Sequence, residues 1–247
     1  SNISSLPKEV LYKYYLIIIF LAAGIKIYPQ NSSKDFCLSV GMDYTTSAQI
    51  FLNPNSFDII IRNKSFELLD LYSPYIDLRY KLNESLTIGI GTEYVKKSKQ
   101  AYNLNVIAGT QIVKLKVDDG VKFIPIELSV LYHLPFSTEH FNFTMGGGVG
   151  YYFGEHTRKL GDTEIEMISR KFSLGLLVSM GIEYLIIPEL GLRLDLKFRD
   201  PEIKLLNRYK SKVFNYNGNE ITLLQDTFNS KINLNGIAFF IGAVYYF

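Results

Sequence analysis

The residue types that could carry catalysis are few and badly spaced. His133, His140 and His156 fall on an alternating stretch, a turn and a long polar segment, so they offer no shared metal or catalytic set. Ser129 and His133 sit on one strand with two pleats between them, roughly 13 Å by strand rise, too far for a base to reach its nucleophile. Cys37 is the only cysteine, which excludes an internal disulfide and a cysteine-based metal cluster; it reads as a small wall residue. Gly146, Gly147, Gly148 and Gly150 resemble a phosphate-cradling loop only superficially. Such loops join a strand to a helix, whereas this run lies inside an alternating stretch between Phe143 and Tyr151, where glycine marks interior space or close backbone approach. The expectation is no catalytic site, no cofactor and no metal, hence no enzyme.

The charged residues are more telling. Asp77, Glu93, Glu127, Glu183 and Asp195 share one parity with Arg79, Lys81, Arg193, Lys197 and Arg199, in stretches where every second residue is large and apolar. The chemistry this pattern suits is mutual neutralisation. Ions out of water persist only when paired, and residues opposite one another on neighbouring strands can pair.

The elements that must position these charges have period two, not 3.6, which is the mark of β-structure with two chemically different faces. Over residues 35–44, Phe36, Leu38, Val40, Met42 and Tyr44 oppose Cys37, Ser39, Gly41 and Asp43. The pattern recurs near 76–82, 86–94, 124–134, 141–151, 172–184, 190–198 and 232–247, which makes eight strands. Short turns near 83, 136 and 188 interleave with four long segments at about 46–71, 98–119, 154–169 and 200–231, read here as outward loops. The spacing predicts an all-β, antiparallel up-and-down barrel of eight strands.

Volume decides which face points outward. An eight-stranded barrel has an interior just wide enough for side chains to fill, and about five large apolar residues per strand would overfill it. The apolar face therefore meets hydrocarbon, with a lipocalin-like soluble barrel as the second choice. Rings gather at the ends of the outward face: Tyr80, Tyr132, Phe141 and Tyr184 toward the short turns, and Tyr44, Tyr94, Tyr151, Phe172 and Phe198 toward the long segments. Two such girdles are expected where a barrel wall crosses the two membrane interfaces.

Bulk properties fit the same picture. The chain has 247 residues, a net charge of +2 and 14% aromatic residues with no Trp, and a mean hydropathy of +0.09. No global field marks it as a nucleic-acid binder. Lys8 and Lys13 precede an apolar run over 14–24, the order of a secretory leader, so residues 1–30 read as a signal peptide cut between about 24 and 30, and residues 31–247 as the barrel.

Phe247, preceded at alternate positions by Tyr245, Ala243, Ile241 and Phe239, resembles the C-terminal signal read by the bacterial outer-membrane barrel-assembly machinery. In layout the chain is similar to the small eight-stranded families: the OmpA transmembrane domain, OmpX and OmpW. The resemblance implies an integral outer-membrane protein of a Gram-negative cell, with assembly machinery, outer-membrane lipid and lipopolysaccharide as partners and a surface ligand of unassigned identity. It implies a structural or surface-interaction role with a polar, filled interior, or alternatively a narrow channel or hydrophobic-ligand barrel of the OmpW, porin-like type; a lipid hydrolase stands third. Lys96, Lys97, Lys99, Lys114, Lys116 and Lys122, with Arg208, Lys210 and Lys212, are candidates for lipopolysaccharide phosphates or for ordinary solvated charge.

Overall fold

The structure is a computed structural model that describes residues 34–108, 111–216, 219–223, 225–234 and 236–247. The leader expected over 1–30 lies outside the described residues. Among the described residues there are fourteen strands and one short helix: β1 (Phe36–Phe51), α1 (Ile59–Asn63), β2 (Ser65–Lys81), β3 (Leu86–Glu93), β4 (Val95–Ala108), β5 (Gln111–His133), β6 (Phe141–Leu160), β7 (Thr163–Arg170), β8 (Leu174–Ile187), β9 (Leu190–Arg199), β10 (Glu202–Tyr209), β11 (Val213–Tyr216), β12 (Asn219–Thr222), β13 (Thr227–Asn233) and β14 (Ile237–Tyr246).

Eight of these strands close into a ring, in the order β1, β2, β3, β5, β6, β8, β9, β14 and back to β1, with every neighbour antiparallel. The short connections at 82–85, 134–140 and 188–189 lie at one end. Phe36 N–H donates to the Phe247 carbonyl there (3.1 Å) and Phe247 N–H to the Phe36 carbonyl (2.9 Å), so the first and last described strands are sealed by the same ladder that joins the others.

The long segments are not loops. They are largely strand, and they raise a second tier on the ring. β4 pairs with the upper half of β5, β7 and β13 flank β10, and β13 pairs with the top of β1. β6 and β7 share two pairs next to their turn, and β11 with β12 forms a separate hairpin. The strand expected over 232–247 is divided between the two tiers, β13 ending at Asn233 and β14 beginning at Ile237, and the one expected from 172 starts at Leu174.

One wall differs from the rest. β5 runs unbroken through both tiers for 23 residues and β6 for 20. On the wall that runs from β6 round to β1, the chain breaks at one level on three adjacent strands, between Arg170 and Leu174, between Arg199 and Glu202, and between Asn233 and Ile237. Proline at 201, which has no N–H to give a ladder, fits such a break.

The tiers also differ in where apolar residues go. The second tier has an apolar core of Ala48, Ile50, Leu68, Val95, Val121, Phe123, Tyr152, Ile203, Ile232 and Leu234, and a further cluster around Leu115, Val117, Leu160 and Phe214. β1 and β2 change inward parity together to reach it: Thr45 and Leu71 are buried, then Ala48, Ile50 and Leu68. The step falls at Asp70, whose φ of 57° is left-handed, a conformation aspartate tolerates better than most residues. Tyr44 donates its hydroxyl to Asp70 Oδ1 (2.7 Å).

Candidate functional site

The ring carries its chemistry on two surfaces, and the inward one is ionic. On β9 the alternation points Arg193, Asp195, Lys197 and Arg199 inward together, facing Asp43 of β1, Asp77 and Arg79 of β2, Glu93 of β3, Glu127 of β5 and Glu183 of β8. Arg199 donates Nη1 to Glu93 and to Glu127 Oε1 (3.1 Å), and Nη2 to Thr45 (2.7 Å). Lys197 Nζ lies 2.6 Å from Asp43 Oδ2 and 3.8 Å over the Tyr75 ring. Nearer the short turns, Arg79 bridges Asp77 (2.6 Å) and Asp195 (2.7 Å), while Arg193 reaches Ser39, Asp77 and Glu183.

Charges of opposite sign held this close out of water need every remaining lone pair and proton satisfied. Six carboxylates face four cations in this interior among the described residues, and hydroxyl donors help to meet the difference. Tyr152 donates to Glu127 Oε1 (2.9 Å), and Ser73 and Tyr246 donate to Glu93 and Glu183. Gly150 makes room for one of these donors, because a Cβ there would lie 2.7 Å from the Tyr152 ring.

Lys81 is a correction to the sequence reading. As the last residue of β2 it is exposed, because a long cationic side chain at the rim reaches water. Asp43, Tyr75 and Tyr152 were missed as members. All three were legible by parity, Asp43 with Ser39 and Gly41, Tyr75 with Asp77 and Arg79, and Tyr152 with Gly148 and Gly150; what parity does not give is the partner each one meets. The imidazole of His133 meets the Thr87 hydroxyl (2.9 Å). Among the described residues no three His, Cys, Asp or Glu side chains group as a metal site.

The outward surface is apolar. Ile90, Leu128, Val130, Leu194 and Ile241 are exposed, Leu128 at 53% and Ile241 at 62%. β5 marks where this surface ends: Tyr132, Val130, Leu128, Ile126 and Ile124 face outward, then Lys122, Lys116 and Lys114 on the same parity. At about 3.4 Å per residue and a tilt near 40°, the apolar run is roughly 21 Å tall, close to the band of about 25 Å that lipid requires. On the chain from β9 into β10 the outward series changes from Leu194, Leu196 and Phe198 to Asp200, Glu202 and Lys204.

Rings touch at both margins of this belt. Toward the short turns Phe36 meets Tyr80 (4.8 Å between centroids) and Phe247 (5.9 Å), Tyr245 meets Phe247, and Phe141 meets Tyr184 (5.0 Å). At the far margin Tyr44 meets Tyr72 and Phe239, and Tyr151 meets Phe153 and Phe172. Tyr94, Tyr132 and Phe198 are exposed in the same series. On β14, Phe239, Ile241, Ala243, Tyr245 and Phe247 share the outward face.

This ring has counterparts of known structure. The outer membrane protein OprG from Pseudomonas aeruginosa superposes with a TM-score of 0.60 at 16% identity, covering 86% of this chain and 95% of its own. The fold is that of a small outer-membrane β-barrel. The outer membrane protease OmpT from Escherichia coli (TM-score 0.48, 7% identity, 89% of this chain and 99% of that one) and Neisserial surface protein A (0.43, 15%, 88% and 100%) are more distant likenesses. No family model matches the sequence and no curated protein matches it. A barrel of this fold with an apolar belt between two rings of aromatics is an integral protein of the bacterial outer membrane, and the belt is its lipid-facing surface.

The second tier of the outer-membrane barrel holds a buried polar group of its own. Asp119 accepts from Arg158 Nε (2.6 Å) and Nη2 (3.0 Å), from Asn103 Nδ2 (2.9 Å) and from the His156 ring (3.1 Å), while Arg158 also donates to the Tyr209 hydroxyl (2.9 Å). His156 lies on β6, not on a loop, and its Nδ1 has no partner among the described residues. Burial pushes the imidazole below its ordinary range despite the Asp119 contact. Burial alone would push the Asp119 carboxyl up, but the His156 hydrogen bond and the Arg158 guanidinium hold it well below the usual carboxylate range. Of the basic residues singled out in sequence, Arg208 and Lys210 are tied to Glu166 and Glu164, and Lys122 to Glu155.

Proposed function

We propose that this outer-membrane barrel is a non-conducting anchor that carries a rigid β-tier outward for surface interaction. The observation that supports it most directly is the cross-section where the tiers meet. Arg199, Glu93, Tyr152 and Phe123 are all buried there, so ion pairs below and apolar side chains above fill the axis of a barrel too narrow to spare the space. In this reading residues 1–30 direct export, the outward face of β14 from Phe239 to Phe247 is the surface offered to the assembly machinery, and no step of catalysis is needed. Purified protein in a planar bilayer is expected to give no steady openings; stable single-channel steps from the wild type would sink the proposal.

A second reading, a barrel that takes a hydrophobic ligand, is favoured by one feature. The β6–β7 ladder ends after two pairs, which leaves the wall beside the apolar core without a ladder over most of β7. Saturable binding of a fluorescent long-chain fatty acid by the folded barrel would favour this reading, and absence of binding removes it.

A further inference from the structure

We propose that the wall above the break that follows Arg170, Arg199 and Asn233 binds a phosphorylated, acylated glycolipid of the outer leaflet through Arg62, Lys171, Lys204 and Lys231, with the side chains of α1 in its acyl region. The proposal rests on the barrel being seated in that membrane. A groove of about 380 Å³ opens there, and those four cations line it with a single carboxylate, Glu202. Glu202 bridges two of them, Lys204 Nζ at 2.8 Å and Lys231 Nζ at 3.0 Å. Lys231 is further fixed 4.4 Å over the Phe51 ring. Arg62 and Lys171 have no carboxylate partner among the described residues, so the groove keeps an excess of positive charge with two cations free to meet an incoming oxyanion. A planar guanidinium and several ammonium groups around one cleft suit phosphate esters, which accept from both kinds of donor.

The neighbouring apolar surface makes the ligand an amphiphile. α1, which supplies Arg62, buries none of its residues, and Ile59, Ile60 and Ile61 are exposed beside a Phe57 that covers nothing. Four large apolar side chains in series on a tip, bordered by cations, form a patch that water disfavours and a partner covers. The height fits lipid. Lys171 directly precedes Phe172, a ring of the far girdle at 72% exposure, and Lys171 N–H donates to the Lys204 carbonyl (3.0 Å). The floor of the groove therefore sits at the margin of the belt, where headgroup phosphates lie, and the greasy tip borders it. None of these four cations stood out in sequence, because they come from four separate segments.

The test uses the folded full-length barrel in neutral detergent, titrated with bis-phosphorylated lipid A, with its dephosphorylated form and with inorganic phosphate. Wild type is expected to bind the bis-phosphorylated lipid at least tenfold more tightly than the dephosphorylated form, with affinity falling as salt rises. Arg62→Gln with Lys171→Gln should lower that affinity about tenfold and flatten the salt dependence, and Ile60→Ser with Ile61→Ser should weaken lipid binding without touching phosphate binding. Unchanged lipid affinity in the Gln variant overturns the proposal. So does phosphate binding as tight as lipid binding, which would mean a site for a free anion, and so does self-association abolished by the Ile60 and Ile61 changes, which would make a second copy the occupant. A heat-modifiable gel shift on each sample reports the barrel separately, so a failure of the membrane reading shows as loss of that shift and not as loss of binding.

Discussion

The ring and the tier above it are built by the same strands yet are inside out relative to each other. On β5, Glu127 and Ser129 point inward while Leu128 and Val130 face outward; further up the same strand Val117 and Val121 point inward while Lys116 and Lys122 face outward. The inward parity never changes along β5. What changes is the medium outside. Where it is hydrocarbon, apolar side chains gain nothing by moving inward, and the strands send their ions to a closed interior where they can pair. Where it is water, the hydrophobic effect restores an apolar core with charge outside. The β5 boundary between Lys122 and Ile124 is thus a direct mark of the membrane surface.

Three sets of measurements test that contrast. The largest effect is expected from Arg199→Met, which strands Glu93 without its cation and leaves Glu127 only Lys197 at 3.8 Å, and should cost about 3–5 kcal/mol, read as a lower urea midpoint for the folded band in vesicles; a cost under about 1 kcal/mol would mean the interior ions are not interdependent. Lys116→Met, outward on the upper tier, is the matched control and should stay within about 0.5 kcal/mol. Next comes Leu128→Arg at the middle of the belt, expected to cost about 2–4 kcal/mol. Tyr102→Arg, exposed on β4 opposite Lys116 and above the belt, should cost almost nothing, and equal penalties at the two positions would erase the proposed boundary.

The smallest effect is a pH response confined to the tier. The His156 imidazole takes up a proton near pH 6.5 in an unfolded chain but only at lower pH where burial depresses it. Its contribution is therefore complete above about pH 6.5 and declines as pH falls below that. The depressed Asp119 carboxyl adds a second loss only at still lower pH, below the ordinary carboxylate range. Hydrogen exchange, corrected for intrinsic rates, should report looser amides around His156 and Arg158 at pH 5.5 than at 7.5, with those of the ring unchanged. In His156→Met the step between these two pH values should disappear, and its persistence would assign the response to another group.

Most of the ring was legible because alternation is read one strand at a time, and Leu128 beside Glu127 or Leu194 beside Arg193 declares two faces without any partner in view. The second tier was missed even though Lys114, Leu115, Lys116 and Val117 alternate just as well. Lysines on the outer face look like a solvated loop unless the possibility of an inverted barrel is held open. Pairing partners were less accessible: Arg199 meets Glu93 and Glu127 across strands 106 and 72 residues away, a juxtaposition fixed by ring order and shear. The groove lined by Lys171 and Arg62 was beyond reach for the same reason, compounded by a chain that breaks and restarts at 171–173.

Those breaks have a mechanical consequence. On the β5–β6 side, backbone hydrogen bonds run without interruption from lipid to water and form a stiff spine, and β1 with β2 forms another; on the wall between β6 and β1, three neighbouring strands stop and restart at one height and form a crease. A load applied to the outer end is carried down these two spines, and the creased wall between them, where no strand is continuous, is where the tier gives first.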